Sequence, residues 1–376
     1  MSINVKQKKG AKVFIGMSGG VDSSVTAALL KEQGYDVSGV FIKVWHPDFL
    51  GFARGRKVPC DWREDRRDAM RVAALLDIPF HTFDLEKEYK KEVVDYMIRE
   101  YRRGRVPNPD VMCNKSIKFG SFLERARALG ADYVATGHYA RVEGSKGKDG
   151  LKVMLEGVDK NKDQSYFLWT LSQKELSQVL FPVGDYSKPK IRSLARTFKL
   201  PTAEKKDSQG LCFMGKIDVK EFLKNYIKPR RGKVFNTVGE EIGWHDGAEF
   251  FAIGERHGFT INKKSNNDRP FYIVAKDIKK NTLTVSNKTA KRPESSVKKI
   301  LIDQVNWVSG NLPNLSRRYS ARLRYRQEKQ PCRLFEKGGE TVVIFSEAQE
   351  AVSAGQSLVI YDGEECLGGG IIKDVV

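Results

Sequence analysis

The sequence predicts an α/β protein: a parallel, doubly wound sheet first, then an antiparallel barrel or sandwich. Three observations carry this. Apolar runs suited to buried strands alternate with amphipathic helical stretches as far as about residue 215. A glycine pair, Gly19-Gly20, stands at the first strand-to-helix turn. After Pro229 the rhythm changes to short strand-like runs separated by Gly, Asn, Asp or Pro.

The first strand is Val13-Phe14-Ile15, and the helix after the turn begins with Val25-Thr26-Ala27-Ala28-Leu29-Leu30. Gly34 sits where a left-handed helix cap is wanted. Residues 1–12 are polar, carry lysines and lack an apolar signal core, so they read as a ragged leader. Residues 36–44 and 79–85 read as buried strands, with helices over 64–76 and 86–103. That alternation implies right-handed crossovers. Residues 46–59 have no periodicity and read as a loop or lid. Pro107 and Pro109, one residue apart, forbid a helix and set a rigid extended turn through Asp110, with a helix from about 116 to 128 capped by Gly130.

Residues 132–135 form another strand, ending in Thr136-Gly137-His138-Tyr139. Ligands of doubly wound sheets sit at the carboxyl ends of strands, so this segment and the first loop belong to one rim. Residues 144–150 read as a hairpin tip; 174–180, 189–198 and 218–226 read as short helices. The later strand-like runs are 271–274, 282–285, 297–302, 319–325, 342–345 and 357–361. No long-period repeat is visible.

A length of 376 residues suggests two or three domains. The net charge of +19 points to a polyanionic partner, nucleic acid before membrane. No apolar run approaches the ~18 residues of a membrane span. The five cysteines include no Cys-x-x-Cys pair, which leaves a zinc or iron–sulfur site little support. An odd count without a signal core fits a reducing cytosol.

The loop Met17-Ser18-Gly19-Gly20-Val21-Asp22-Ser23-Ser24 lets bare backbone approach an anion, aims N–H groups at it and adds hydroxyl donors. It lacks the Lys-Ser/Thr ending of a Walker loop and the dinucleotide spacing. It has the Ser-Gly-Gly-x-Asp-Ser pattern of enzymes that split ATP between its α and β phosphates. Asp22 can hold magnesium or cap the first helix. Cys113, before Lys115, and Cys212, after Lys205 and Lys206, have cations nearby that favour a reactive thiolate; either could equally be a small buried core residue. Cys332 and Cys366 lie in strand-like segments and read as structural. Asp110 could act as acid or base, or cap the following helix. His138 could meet a phosphate or base, or be a satisfied strand-end histidine.

These segments resemble the tRNA-specific 2-thiouridylases. The resemblance rests on Gly16 to Ser24, Asn108-Pro109-Asp110 with Cys113-Asn114-Lys115, Ala135-Thr136-Gly137-His138-Tyr139 and Lys162-Asp163-Gln164-Ser165-Tyr166-Phe167. It continues through Lys206-Asp207-Ser208 with Cys212-Phe213, Arg324-Tyr325-Arg326-Gln327, Gly355-Gln356-Ser357 and Cys366-Leu367-Gly368-Gly369-Gly370. The matches fall in family order across nearly the whole chain. Departures are Gly254-Glu255-Arg256-His257-Gly258-Phe259, where a Gly-Gln-Arg-Lys-Gly-Leu type run is usual, and Ser208-Gln209-Gly210-Leu211 in place of Ser-Thr-Gly-Ile.

The resemblance implies an ATP-pyrophosphatase domain over 1–215, a small central α+β domain over 216–290 and a C-terminal antiparallel β-barrel over 291–376. It implies ATP-dependent 2-thiolation of the wobble uridine in tRNA of the Lys, Glu and Gln type, through adenylation of the 2-carbonyl oxygen. Cys212 would carry a persulfide from a cysteine desulfurase or relay protein. Cys113 would release sulfide from it or form a disulfide with Cys212. Asp110 would be the acid/base, and Asn108 and Pro109 would hold the target base. Gly16, Met17, Ser18, Gly19, Gly20, Val21, Asp22, Ser23, Ile42 and Gly137 match ATP-contacting positions. His138, Lys162, Asp163, Gln164, Arg324, Tyr325 and Gln356 match tRNA-contacting positions. The expected cofactors are ATP and Mg2+, with no resident metal. The expected setting is a cytoplasmic monomer off the membrane. The competing readings are a small-molecule adenylating ligase on the same loop fold and a non-catalytic RNA-binding protein.

Overall fold

The computed structural model describes residues 10–47, 62–145, 150–207, 218–262, 269–287 and 297–375. Strand β1 (Lys12–Gly16) leads through the glycine turn into helix α1 (Val21–Glu32), then β2 (Asp36–Lys43), α2 (Trp62–Leu75) and β3 (Phe80–Asp84). Helix α3 runs from Glu86 to Arg102 with a π-helical stretch, Lys90–Val94, in its middle. Helix α4 begins at Pro109–Met112, passes through π-helical Cys113–Ser121 and ends in Phe122–Ala128. Next come β4 (Tyr133–Ala135), β5 (Ala140–Gly144), β6 (Lys152–Glu156), helix α5 (Gln173–Leu176), β7 (Val179–Leu180) and helix α6 (Lys188–Thr197).

The five-stranded parallel sheet has the order β3-β2-β1-β4-β7. Period-two alternation puts Val13 and Ile15 into the core on one face and Phe14 into the core on the other. Gly34, at φ +82°, ends the turn after α1 as its position predicts.

One sequence expectation fails at the start of α4. The helix starts at Pro109, not near residue 116, so Asp110 and Cys113 are helical. A proline at the first helical position loses only an N–H that has no intrahelical partner anyway. Asn108 caps the end, its Oδ1 accepting from Val111 N at 3.3 Å. Asn108, rather than Asp110, is therefore the capping residue. The stretch expected as a helix over 174–180 also divides: α5 ends at Leu176, and Val179–Leu180 becomes an edge strand beside β4.

Helix α7 (Val219–Leu223), capped by Asp218, opens the central unit. Its five-stranded sheet joins β8 (Gly232–Phe235), β9 (Glu241–His245), β10 (Phe259–Ile261), β11 (Tyr272–Asp277) and β12 (Thr282–Ser286) in the order β10-β9-β8-β12-β11. Phe222, Val234, Ile273 and Leu283 share one continuous core with Phe14, Phe83 and Phe122, so the first two units are packed together.

The last unit comprises β13 (Val297–Trp307), β14 (Tyr319–Arg322), β15 (Gln330–Lys337), β16 (Glu340–Gln349), β17 (Ser357–Asp362) and β18 (Glu365–Val375). Pairing of β13 with β18 closes these six into an antiparallel barrel with its own interior, including Ile300, Leu334, Val343 and Ile360. The sequence left barrel and sandwich open; closure decides for the barrel. The β5–β6 hairpin stands outside the parallel sheet and pairs through β6 with β18, extending the barrel sheet to eight strands.

Candidate functional site

The glycine turn is built by short-range chemistry. Gly19 has φ +73°, and a Cβ there would lie 2.2 Å from Asp65 O, so only glycine fits. Ser23 Oγ donates to Gly20 O at 3.1 Å and Ser24 Oγ at 2.8 Å, while Ser18 N donates to Ser23 Oγ at 3.2 Å. Gly20 occupies the helix N-cap, and Asp22 makes no capping bond. Met17 and Val21 turn their side chains into the core, leaving backbone as what they offer a ligand. Ile42 packs near Gly16 from the carboxyl end of β2.

Gly137, after β4, lies against this turn: a Cβ there would be 2.8 Å from Ser23 N and 2.9 Å from the carbonyl carbon of Asp22. The two strand ends do share one rim. Asp22 faces outward into a cluster. Tyr139 Oη donates to Asp22 Oδ1 at 2.7 Å, and Lys188 Nζ donates to both Asp22 oxygens at 2.7 and 2.8 Å. Lys188 Nζ also lies 2.9 Å from Asp207 Oδ1. Asp207 meets Lys162 at 2.6 Å and Arg192 at 2.8 Å. Burial alone would raise the Asp207 carboxyl, but Lys162 and Lys188 overcome it and hold the group at about 2.

Tyr139, Lys188 and Asp207 were not singled out for roles in the sequence. Lys188 did leave a signal. It is the first residue of α6, before Pro189, where a cation opposes the helix dipole unless it has an anionic partner.

Asp110 and Cys113 lie on consecutive turns of α4. Burial raises the Asp110 carboxyl above the ordinary range, and the Lys118 charge opposes that rise. Cys113 is buried in the core that holds Val111 and Ile117. Asn114 Nδ2 donates to Phe167 O at 3.2 Å. Cys60 and Cys212 lie outside the described residues. Cys332 and Cys366 are buried among apolar neighbours, and desolvation pushes the Cys332 thiol up to about 12 and raises that of Cys366 too.

His138 connects the two regions. Its Nδ1 lies 2.7 Å from Thr136 Oγ1 and its Nε2 3.4 Å from Lys118 Nζ. An ammonium only donates, so Nε2 accepts and Nδ1–H donates to Thr136. Full burial, with Lys118 alongside, holds the imidazole neutral, well below its usual pKa. Among the alternatives for His138, the satisfied strand-end residue is the one observed.

Asp163, expected at the tRNA surface, is 2 % exposed. Its oxygens accept from Gly157 N, Ser165 N and Ser165 Oγ at 3.0–3.1 Å and from Arg322 Nη1 at 2.7 Å. Arg322 Nη2 also meets Glu156 at 3.0 Å. Desolvation of a carboxylate requires such partners, and they turn Asp163 inward as a tie between β6 and the barrel. Gln356 is also directed inward, donating from Nε2 to Val106 O at 2.9 Å. Gln164 Oε1 accepts from Tyr139 N at 3.0 Å. Lys162, Arg324 and Tyr325 remain at or near the surface; the Tyr325 ring sits 4.5 Å from that of Phe167.

Three family descriptions match successive parts of the chain. Residues 11–216 match the tRNA methyl transferase HUP domain, 220–287 the tRNA methyl transferase PRC-barrel domain and 297–372 the Aminomethyltransferase beta-barrel domain. Curated proteins named tRNA-specific 2-thiouridylase MnmA are similar over almost the full length. That of Hydrogenovibrio crunogenus (strain DSM 25203 / XCL-2) is 43% identical over 374 residues, covering 99% of this chain and 96% of the relative. That of Bacillus subtilis (strain 168) is 46% identical over 373 residues, covering 98% and 97%.

Proposed function

The chain belongs to the tRNA-specific 2-thiouridylase family, and on that premise we propose that it installs sulfur at C2 of the wobble uridine of Lys, Glu and Gln type tRNA at the expense of ATP. The observation that carries this reading is one continuous set of contacts. It runs from the phosphate-cradling turn at Gly19 and Gly20, through Gly137 and His138, to Lys118 and the helix bearing Asp110 and Cys113. A nucleotide on the turn and a base beside Asp110 would be neighbours.

In this reading the 2-carbonyl oxygen attacks the α-phosphorus of ATP, pyrophosphate leaves, and the oxygen becomes a leaving group. Gly16, Met17, Ser18, Gly19, Gly20, Val21, Asp22, Ser23 and Gly137, with Ile42 alongside, supply the nucleotide contacts, the main-chain N–H groups at the start of α1 among them. Asp110 moves the proton at the base, while Asn108 and Pro109 hold that base. Among the described residues no three acidic, His or Cys side chains converge as a ready-made metal cage. Magnesium would arrive on phosphate oxygens and offset pyrophosphate charge, taking Asp22 as a ligand by displacing Lys188 from its carboxylate.

Sulfur arrives as a persulfide on Cys212, delivered by a desulfurase or relay protein. Its outer sulfur attacks C2 and AMP leaves; Cys113 thiolate then attacks the inner sulfur, leaving C2=S and a Cys113–Cys212 disulfide. In the alternative order Cys113 attacks first and the released sulfide attacks C2. Lys162, Gln164, Arg324 and Tyr325 form the remaining tRNA contacts, with the basic excess drawing in phosphates.

The test is nucleoside mass spectrometry of unmodified glutamate tRNA incubated with this protein, ATP, magnesium, cysteine and a desulfurase. New 2-thiouridine that requires ATP and is lost in Cys113→Ser and Cys212→Ser is the expected result. Undiminished product in either variant would refute the two-cysteine chemistry.

A further inference from the structure

We infer that Gln356 is a positioning residue: the barrel segment 350–356 braces the start of α4 and so sets where Asp110 and Cys113 stand. The inference rests on the thiolation reading and assigns the control of its catalytic helix to the barrel.

The chain between α3 and α4 has no regular structure of its own; Pro107 removes one of its amide donors and Pro109 the first of α4. Its partners come from about 250 residues away. Gln356 Nε2 donates to Val106 O at 2.9 Å and to Pro107 O at 3.4 Å. Val106 N donates to Ala354 O at 2.8 Å. Gly355 presses so close that a Cβ on it would lie 2.9 Å from both Val106 N and Val106 O. The two residues that lead into the Asn108 cap are thus gripped from one side by a single barrel loop.

That loop is itself held on three sides. Gly355 N donates to Ile372 O at 2.9 Å and Ile372 N to Gln356 O at 2.8 Å, fixing it to β18. Arg324 Nη2 donates to Glu350 O at 2.8 Å. Gly254 of the central unit approaches Ala351 so closely that a Cβ there would be 2.5 Å from Ala351 Cβ. All three units therefore meet where α4 begins. Because Asn108 caps the helix locally, the cap fixes its first turn. The brace fixes where that turn sits. The Gln356 amide hydrogens are committed to protein carbonyls.

The experiment compares wild type with Gln356→Met, which keeps length and removes the donor. Amide exchange at Val106, Asn108 and Asp110 is followed by mass spectrometry without substrate. Steady-state thiolation is measured alongside, with a melting curve to report folding. Expected are about tenfold faster exchange confined to that segment, and a kcat about 10- to 100-fold lower with KM for tRNA nearly unchanged. Unchanged exchange overturns the brace. So does a raised KM with unchanged kcat, which would make Gln356 an RNA contact. A wild-type protein that forms no 2-thiouridine would refute the thiolation reading, and the exchange data would still decide the brace.

Discussion

Lys188 grips Asp22 with its Nζ 2.7 and 2.8 Å from the two carboxylate oxygens, joining α6 to the helix that follows the phosphate turn. The same ammonium reaches Asp207 at 2.9 Å. One cation thus serves two carboxylates at the rim where ATP would lie. Lys188→Met should lower kcat/KM for ATP by about 10²- to 10³-fold. Pyrophosphate release in the presence of tRNA measures it, and wild-type kinetics in the variant would remove Lys188 from the site.

Gly137 is confined by the backbone of the turn rather than by flexible side chains. Gly137→Ala must move either β4 or the turn, because its Cβ would stand 2.8 Å from Ser23 N. Overpacking of this kind costs about 1–3 kcal/mol. The expected outcome is a chemically less stable protein with sharply weakened ATP binding, seen by denaturant titration and calorimetry. Full ATP affinity in Gly137→Ala would show that the turn does not need this approach.

Asp110 provides a pH test. Burial raises its carboxyl and Lys118 pulls it back down. A group needed in its ionised form then gives an acid limb above the ordinary carboxylate range. Lys118→Met should shift that limb to higher pH, since the opposing charge is gone. For stability the sign is that of a raised folded pKa. The favourable contribution is full below the unfolded value and is lost as pH rises through the folded one. Asp110→Asn should therefore gain stability relative to wild type as pH increases. A limb unmoved by Lys118→Met would separate the two residues.

Arg322 lies between Asp163 at 2.7 Å and Glu156 at 3.0 Å, all three nearly removed from solvent. Removing Arg322 strands the buried Asp163 charge, whereas Glu156 keeps Lys160 and Lys329, so Arg322→Met should destabilise by about 3–5 kcal/mol. Neutralising that partner as well, with Asp163→Asn, should restore much of that. Urea denaturation reads both. A loss below about 1 kcal/mol in the single variant would class the contact with exposed pairs.

The legible parts of the site were those whose geometry is local. The turn at Gly19 and Gly20 is encoded within a strand, a few residues and a helix. Its hydroxyl bonds span three or four positions. The start of α4 was misread because proline was weighed as a helix breaker, although at the first helical position it is neutral. Strands β8, β9, β10, β15 and β18 escaped because glycines and charged residues interrupt their alternation; β18 carries Gly368, Gly369 and Gly370 in succession.

By itself the sequence determined most of the order of strands and helices in the first half, the glycine turn after the first strand and the antiparallel character of the last part. Each follows from periodicity and turn chemistry over fewer than about 20 residues. Only the tertiary structure decided that β6 pairs with β18 and that Asp163 turns inward to Arg322. It likewise decided that Lys188 reaches Asp22 and that Gln356 holds Val106. These pairings join positions more than 150 residues apart in the chain. What selects them is the shared burial of charges and the closure of a barrel, and no local pattern of residues carries either.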